Sequence, residues 1–297
     1  MNPLTWVALA VLAGALAYSA LRHALLSLTL ALAIVVLFFL NLVGEWMYPL
    51  ENPVSFDLSW VSVPGLYQSP PWTFATTIFV HAGAFHLMFN LLGFLLITPV
   101  LEERIGSLRW ALIFFGGAAL GQVLFILARH GQSYALVGAS GGLLAVLGAF
   151  ARLYPRERMT LFLPIPGSPA VPVIWIAIGY LVLSFALVTT SFASVAYEAH
   201  IGGIVFGFAA APLIMRVPVR QRTAKLAAFD AKGLEPLATT RELRQILDEL
   251  KVADVPEVQR AWIEKFTAKA VCPRCGSPLR YRRGALSSPC GWRLPPK

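Results

Sequence analysis

Uncharged apolar runs dominate the first 215 residues of this chain, and roughly the last 80 hold most of its charge. A helix that crosses a bilayer needs about 20 mostly apolar residues. Charged residues are 13% of the chain, about half the share in soluble domains. These two facts predict a membrane domain followed by a soluble tail. Seven spans are expected. They run from Met1 to Leu21, Ala24 to Gly44, Phe79 to Leu101, Trp110 to Ala128, Gly138 to Tyr154, Val173 to Thr190 and Val195 to Met215. The first lacks a basic leader and reads as a retained helix rather than a signal peptide. The stretch from Glu45 to Gln68, with its prolines and aromatics, reads as a partly structured interfacial loop. Pro164, Pro166, Pro169 and Pro172 mark another loop.

Basic residues set the orientation, because cytoplasmic flanks collect Lys and Arg. One set of loops holds Arg22, Arg104, Arg109, Arg152, Arg156, Arg158, Arg216, Arg220, Arg222 and Lys225; the other holds only Arg129. The first set is therefore assigned to the cytoplasm, with the N-terminus outside and the tail inside. The same rule accounts for the net charge of +9 without nucleic acid as a partner.

With those directions, three distant spans bring polar residues to a similar depth in the outer half of the membrane. They are His81, His86 and Asn90 on the third span, Ser140 at the start of the fifth and His200 near the start of the seventh. Ionisable groups inside spans are costly and point to function. The fifth run is 17 residues, or about 25 Å, shorter than the ~30 Å hydrocarbon core. Its N-terminus is thus expected below the surface, facing a hydrated pocket. A serine hydroxyl there needs a base, and histidine suits that role. The reaction also needs donors for an oxyanion. The free N–H groups of a helix N-terminus, with His86 and Asn90 on one helix face, are candidates. No acid is placed to orient His200: Glu198 points to the opposite side of its helix, and Glu102 and Glu103 lie at the far end of theirs. A Ser140–His200 dyad is expected, not a triad.

Gly138-Ala139-Ser140-Gly141, Ala199-His200-x-x-Gly203-x-x-x-Gly207 and His81-x4-His86-x3-Asn90 resemble the motifs of rhomboid intramembrane serine proteases, as does Glu102-x-Arg104-x-Gly106. The resemblance covers about Ala24 to Met215. It implies an all-α polytopic bundle with a six-helix core, to which the first helix is an addition. It also implies Ser140 as nucleophile, His200 as base, and an oxyanion hole of His86, Asn90 and the Ser140 N–H. Gly138 and His81 would be supporting residues near a water-filled cavity. No cofactor is implied for catalysis, and the implied substrates are transmembrane helices of other proteins. One departure is Trp72-Thr73, where family members often carry Trp-Arg.

The tail is expected to hold a helix opened by a Thr239-x-x-Glu242 capping box and a second from Pro256. Cys272-Pro-Arg-Cys275-Gly resembles one knuckle of a zinc ribbon. The second knuckle keeps Cys290 but has Ser287 where a fourth ligand belongs, so the ribbon is degenerate and short of the four ligands of structural zinc. The expected divisions are an extra helix (1–22), the membrane protease domain (23–216), a helical segment (217–270) and the ribbon-like tail (271–297). The expected protein is a multi-pass endopeptidase of a bacterial inner membrane. The competing reading is a non-catalytic relative that binds transmembrane helices. A small transporter would carry charges through the midplane of the bilayer, and the spans carry none there.

Overall fold

The structure, a computed structural model, describes residues 2–49, 53–159, 170–188, 195–219, 231–252, 256–282 and 285–294. The loop marked by Pro164, Pro166 and Pro169, and the basic stretch 220–230, lie outside the described residues. The chain divides into two compact units, Met1–Val219 and Arg220–Lys297.

The first unit is a polytopic helical membrane bundle. It opens with α1 (Pro3–Arg22) and α2 (Leu26–Met47). A long connection follows, with α3 (Pro53–Leu58), β1 (Trp60–Val63), β2 (Tyr67–Gln68) and α4 (Thr73–Thr76). Then come α5 (Ala84–Leu96), α6 (Thr98–Ile105), α7 (Ser107–Ala128), β3 (Tyr134–Leu136) and α8 (Ser140–Leu153). A two-residue pair, β4 (Arg158–Met159) with β5 (Val171–Pro172), leads to α9 (Val173–Val188) and α10 (Tyr197–Ile214). Among the described residues, five helices are long and apolar enough to cross a membrane: α1, α2, α5 with α6, α7 and α10; α8 and α9 are shorter apolar helices.

Every residue of α8 from Gly141 to Ala151 is buried, which suits a helix that is apolar on all sides. It is the axis of the bundle, packed by α7, α9 and α10. Its 14 residues span about 21 Å, less than the ~30 Å hydrocarbon core. Contact with α10 is backbone to backbone. A Cβ on Gly207 would lie 1.8 Å from the Ala145 carbonyl oxygen, and one on Gly203 2.1 Å from that of Gly141. Small residues permit such approach, and close packing is what drives helices together in lipid.

The third span departs from its expected bounds. The helix begins at Ala84, not near Phe79, and breaks at Ile97 before continuing to Ile105. Pro99, in the first turn of α6, supplies no N–H to the turn before it. Beside it, the Thr98 hydroxyl donates to the Phe94 carbonyl at 2.9 Å. His81 therefore precedes the helix and does not ride on its outer turns.

Glu102 has a use the sequence did not disclose. It is buried, and its carboxylate accepts from the N–H groups of Leu26 (2.6 Å) and Ser27 (2.8 Å) at the start of α2. No side chain of α2's own cap residue does so. A carboxylate at a helix N-terminus meets both free donors and the positive end of the dipole. Two residues on, the Arg104 guanidinium lies over the rings of Phe150 (5.6 Å) and Tyr154 (4.8 Å) and pairs with Glu157 at 3.1 Å. Gly106, at φ 85°, turns the chain into α7.

The first connection is more ordered than an interfacial loop. β1 pairs antiparallel with both β2 and β3, which ties it to the segment before Ser140. Hydroxyls brace it. Thr76 donates to the Leu58 carbonyl (2.8 Å), and Ser69 donates to that of Ser59 (3.1 Å). At the other end, Asp57 accepts from the Thr5 hydroxyl (2.6 Å) and the Asn2 N–H (3.2 Å), which fixes α1 to α3.

The tail unit has its own core. It holds α11 (Ala231–Leu234), α12 (Arg241–Val252), α13 (Pro256–Lys269) and an antiparallel sheet of β6 (Arg280–Arg282), β7 (Ala285–Ser287) and β8 (Arg293–Leu294). Helices and strands share that core, with Leu243, Ile246 and Phe266 packed against Cys272, Leu279 and Leu286. The cap of α12 is Thr240, not Thr239. Its hydroxyl accepts from the Leu243 N–H at 3.2 Å, so Glu242 is one position short of closing a capping box.

Glu102→Ala would leave two buried N–H groups unpaired, a cost of roughly 2–4 kcal/mol. Denaturant unfolding in detergent should register that loss, whereas Glu103→Ala, at an exposed position next door, should leave the midpoint unchanged.

Candidate active site

Ser140 is the first residue of α8, and His200 lies in the first turn of α10. His200 Nε2 stands 2.8 Å from Ser140 Oγ. The glycine contacts between the two helices set that distance, because residue 200 lies one turn before Gly203, which seats on Gly141. His200 is buried, and the rings of Tyr180 on α9 and Tyr197 on α10 meet its imidazole edge to face, each with centroids 6.0 Å away. Among the described residues, Nδ1 has no hydrogen-bond partner. Glu198 turns away and pairs with Arg129 at 3.0 Å. That ion pair also accounts for Arg129, the single basic residue in its set of loops.

The Ala139 carbonyl accepts from the Leu143 N–H at 3.0 Å, closing the first turn of α8. The N–H groups of Ser140, Gly141 and Gly142 therefore have no acceptor within their own helix. Gly138 adopts φ 112°, a region that favours glycine, and a Cβ there would fall 2.6 Å from His86 Nε2. The His86 ring thus rests against the Gly138 backbone, beside Ser140. Thr77 holds that backbone in place, a role with no signal in the sequence beyond a hydroxyl in a turn. Its carbonyl accepts from the Gly138 N–H (3.1 Å), and its hydroxyl donates to the Leu136 carbonyl while accepting from the Trp60 N–H (3.1 Å).

Asn90 is buried one turn below His86. One hydrogen of its amide is taken by the His86 carbonyl at 2.8 Å, leaving one for another acceptor. His81 is buried with its ring 5.0 Å from that of His86. A cavity of about 1250 Å³ opens on this group, lined by His86, Asn90, Ser140, Tyr180 and His200, but not by His81. Phe85, Phe89 and Leu96 of α5, Ile176 of α9 and the strand Tyr134–Leu136 line it too.

Cys272, Cys275 and Cys290 come together in the tail, with their Sγ atoms within 4.8 Å of one another. Hydrogen bonds from the Ser277 and Ser288 hydroxyls hold the Cys275 thiol down at about 6, well below the ordinary cysteine range. Ser287, expected at the fourth position, bonds instead to the Arg280 carbonyl across the sheet; of Ser287 and Ser288, it is Ser288 whose hydroxyl lies beside the thiols.

The profile of the Rhomboid domain matches residues 68–217, about half of the chain. The chain is similar to "Rhomboid protease GluP" of Bacillus subtilis, 30% identical over 60% of this chain and 32% of that protein. It is similar to "Rhomboid protease GlpG" of Serratia proteamaculans, 28% identical over 60% of this chain and 58% of that one. It is also similar to "Rhomboid protein 1, mitochondrial" of Saccharomyces cerevisiae, 28% identical over 50% and 44%. The chain thus spans between a third and three-fifths of the length of these relatives.

Gly207→Ala should push α10 off α8 and part Ser140 from His200. Labelling of Ser140 by a fluorophosphonate should then fall by about a hundredfold. Gly179→Ala, where an added Cβ meets nothing within 4 Å, should label as the parent does.

Proposed function

The chain belongs to the rhomboid family, and from that premise we propose that it is an intramembrane serine endopeptidase working with a Ser140–His200 dyad. The observation that carries the reading is the 2.8 Å contact between Ser140 Oγ and His200 Nε2 at the wall of a cavity. Two such groups far apart in sequence, held at hydrogen-bond distance, are the minimum for an activated serine.

In this mechanism Ser140 Oγ attacks the carbonyl carbon of the scissile peptide while His200 Nε2 takes its proton. That role needs the tautomer with the proton on Nδ1. The negative charge moves to the substrate carbonyl oxygen, where the Ser140 N–H, the His86 imidazole and the free amide hydrogen of Asn90 are the proposed donors. Donors fixed before the charge develops are worth more than mobile water. Gly138 contributes by letting His86 lie close, and His81 by packing behind it. The intermediate collapses when the His200 imidazolium passes its proton to the leaving amine, which leaves an ester on Ser140. A water, deprotonated by the same imidazole, attacks that ester and restores both groups.

The proposed substrates are transmembrane helices of other proteins. A carbonyl inside an intact helix is bonded and shielded, so the segment must unwind to reach Ser140. Substrates with Gly or Pro near the cut are therefore favoured. The proposed setting is a bacterial inner membrane with the tail in the cytoplasm, which the distribution of Arg and Lys supports.

Full-length protein in liposomes should cleave a single-span reporter, and Ser140→Ala or His200→Ala should abolish the product. If Ser140→Ala cleaves as well as the parent, the reading fails; a helix-binding protein without catalysis would retain the reporter uncut. Replacing helix breakers (Gly or Pro) near the reporter's cut site by Leu should slow cleavage by about tenfold or more, as the helix resists unwinding.

A further inference from the structure

The tail carries a side-chain cluster that peptide hydrolysis does not use. Cys272 and Cys275 sit on the turn after α13, and Cys290 on the turn between β7 and β8. All three are free thiols. Cys272 Sγ and Cys290 Sγ are 3.7 Å apart. A tetrahedral zinc ion with Zn–S bonds of about 2.3 Å sets its sulfurs about 3.8 Å apart, so this edge is already spaced for a metal. Ser288 Oγ lies 3.2 Å from Cys275 Sγ and 3.5 Å from Cys290 Sγ. With a Zn–O bond of about 2.1 Å the matching edge is about 3.6 Å, so the hydroxyl stands near a fourth vertex. The Arg274 N–H points at Cys272 Sγ from 3.4 Å, an outer-shell bond of the kind that orients a thiolate ligand.

The two turns are alike, with one residue fewer in the second. The Cys272 N–H donates to the Ser277 carbonyl at 2.8 Å, and the Ser288 N–H to the Trp292 carbonyl at 3.0 Å. Ser288 therefore takes the place in its turn that Cys272 takes in the first. Counting along the sequence gave that place to Ser287, which the sheet claims.

We propose that the tail binds one zinc ion through the thiolates of Cys272, Cys275 and Cys290, with the Ser288 hydroxyl or a water at the fourth position. Three soft thiolates select zinc over magnesium or calcium. Binding releases the thiol protons and ties the turn after α13 to the β7–β8 turn. A neutral oxygen is a weak fourth ligand, so the ion is exchangeable, unlike one held by four thiolates.

The test uses full-length protein, purified in detergent with a reductant and loaded with zinc alone. Mass spectrometry should find about one zinc per chain, and Cys275→Ser should lose most of it. Ser288→Cys should complete a four-thiolate site and slow zinc transfer to a chromogenic chelator by about tenfold or more, while Ser287→Cys should leave the rate as in the parent. Cobalt substitution gives a second readout, because thiolate-to-cobalt charge-transfer absorption should rise in Ser288→Cys only. No zinc uptake by the parent would overturn the proposal, as would a Cys272–Cys290 disulfide surviving the reductant. A slowed rate in Ser287→Cys with none in Ser288→Cys would overturn the assignment of the fourth position.

Discussion

Direct contact between the backbones of α8 and α10 underlies everything else in the membrane unit. Lipid offers helices no hydrophobic reason to associate, so they must gain from close van der Waals packing. Glycines at 203 and 207 let carbonyl oxygens of α8 sit where side chains would otherwise be. Gly121 of α7 does the same against the Ala199 carbonyl, so α10 is gripped from two sides at the level of His200. A bundle that tight fixes two side chains sixty residues apart to within a hydrogen bond without any direct link between their loops. It also explains why α8 can be short: its N-terminus is covered by protein and cavity, so its free N–H groups never face lipid.

The opposite end of α8 is held by different means. The run from Glu102 to Gly106 gathers three devices in five residues. A carboxylate caps α2, a guanidinium covers two aromatics near the end of α8, and a glycine takes the positive φ needed to start α7. With α8 pinned at both ends and α10 locked to it, any movement that admits the proposed substrate falls elsewhere. The other walls of the cavity include α5, α9, the first connection at Phe56 and Val61 and the end of α7 at Phe125, and α9 leaves Trp175, Val182 and Phe185 exposed.

Much of this was legible in advance. Apolar runs and loop charges marked the spans, and Ser140, His200, His86 and Asn90 were singled out from residue type and depth. What stayed hidden has physical reasons. A buried Glu102 is indistinguishable in sequence from a solvated one at a helix end, because its partners are N–H groups 75 residues away. The break before Pro99 was passed over, since a proline in an apolar span can be bridged by a neighbouring hydroxyl. Thr77, Tyr180 and Tyr197 act through contacts that no spacing rule connects to Ser140. Ser287 was preferred to Ser288 because ligand spacing was counted along the chain, whereas a turn one residue shorter moves the hydroxyl.

The absence of a carboxylate beside His200, among the described residues, is consistent with the cost of charge in a bilayer. A carboxylate in hydrocarbon costs several kcal/mol unless its oxygens are matched by donors. Among the described residues the one fully buried carboxylate is Glu102, where two N–H groups of a helix N-terminus meet it. Near Ser140 the free N–H groups belong to the first turn of α8, on the Nε2 side of the His200 ring, and Nδ1 faces away from them. The imidazole is instead held by shape, with the edges of Tyr180 and Tyr197 on either side and the α8–α10 contact below. In the proposed reaction, orientation by packing takes the part that a third residue plays in a triad.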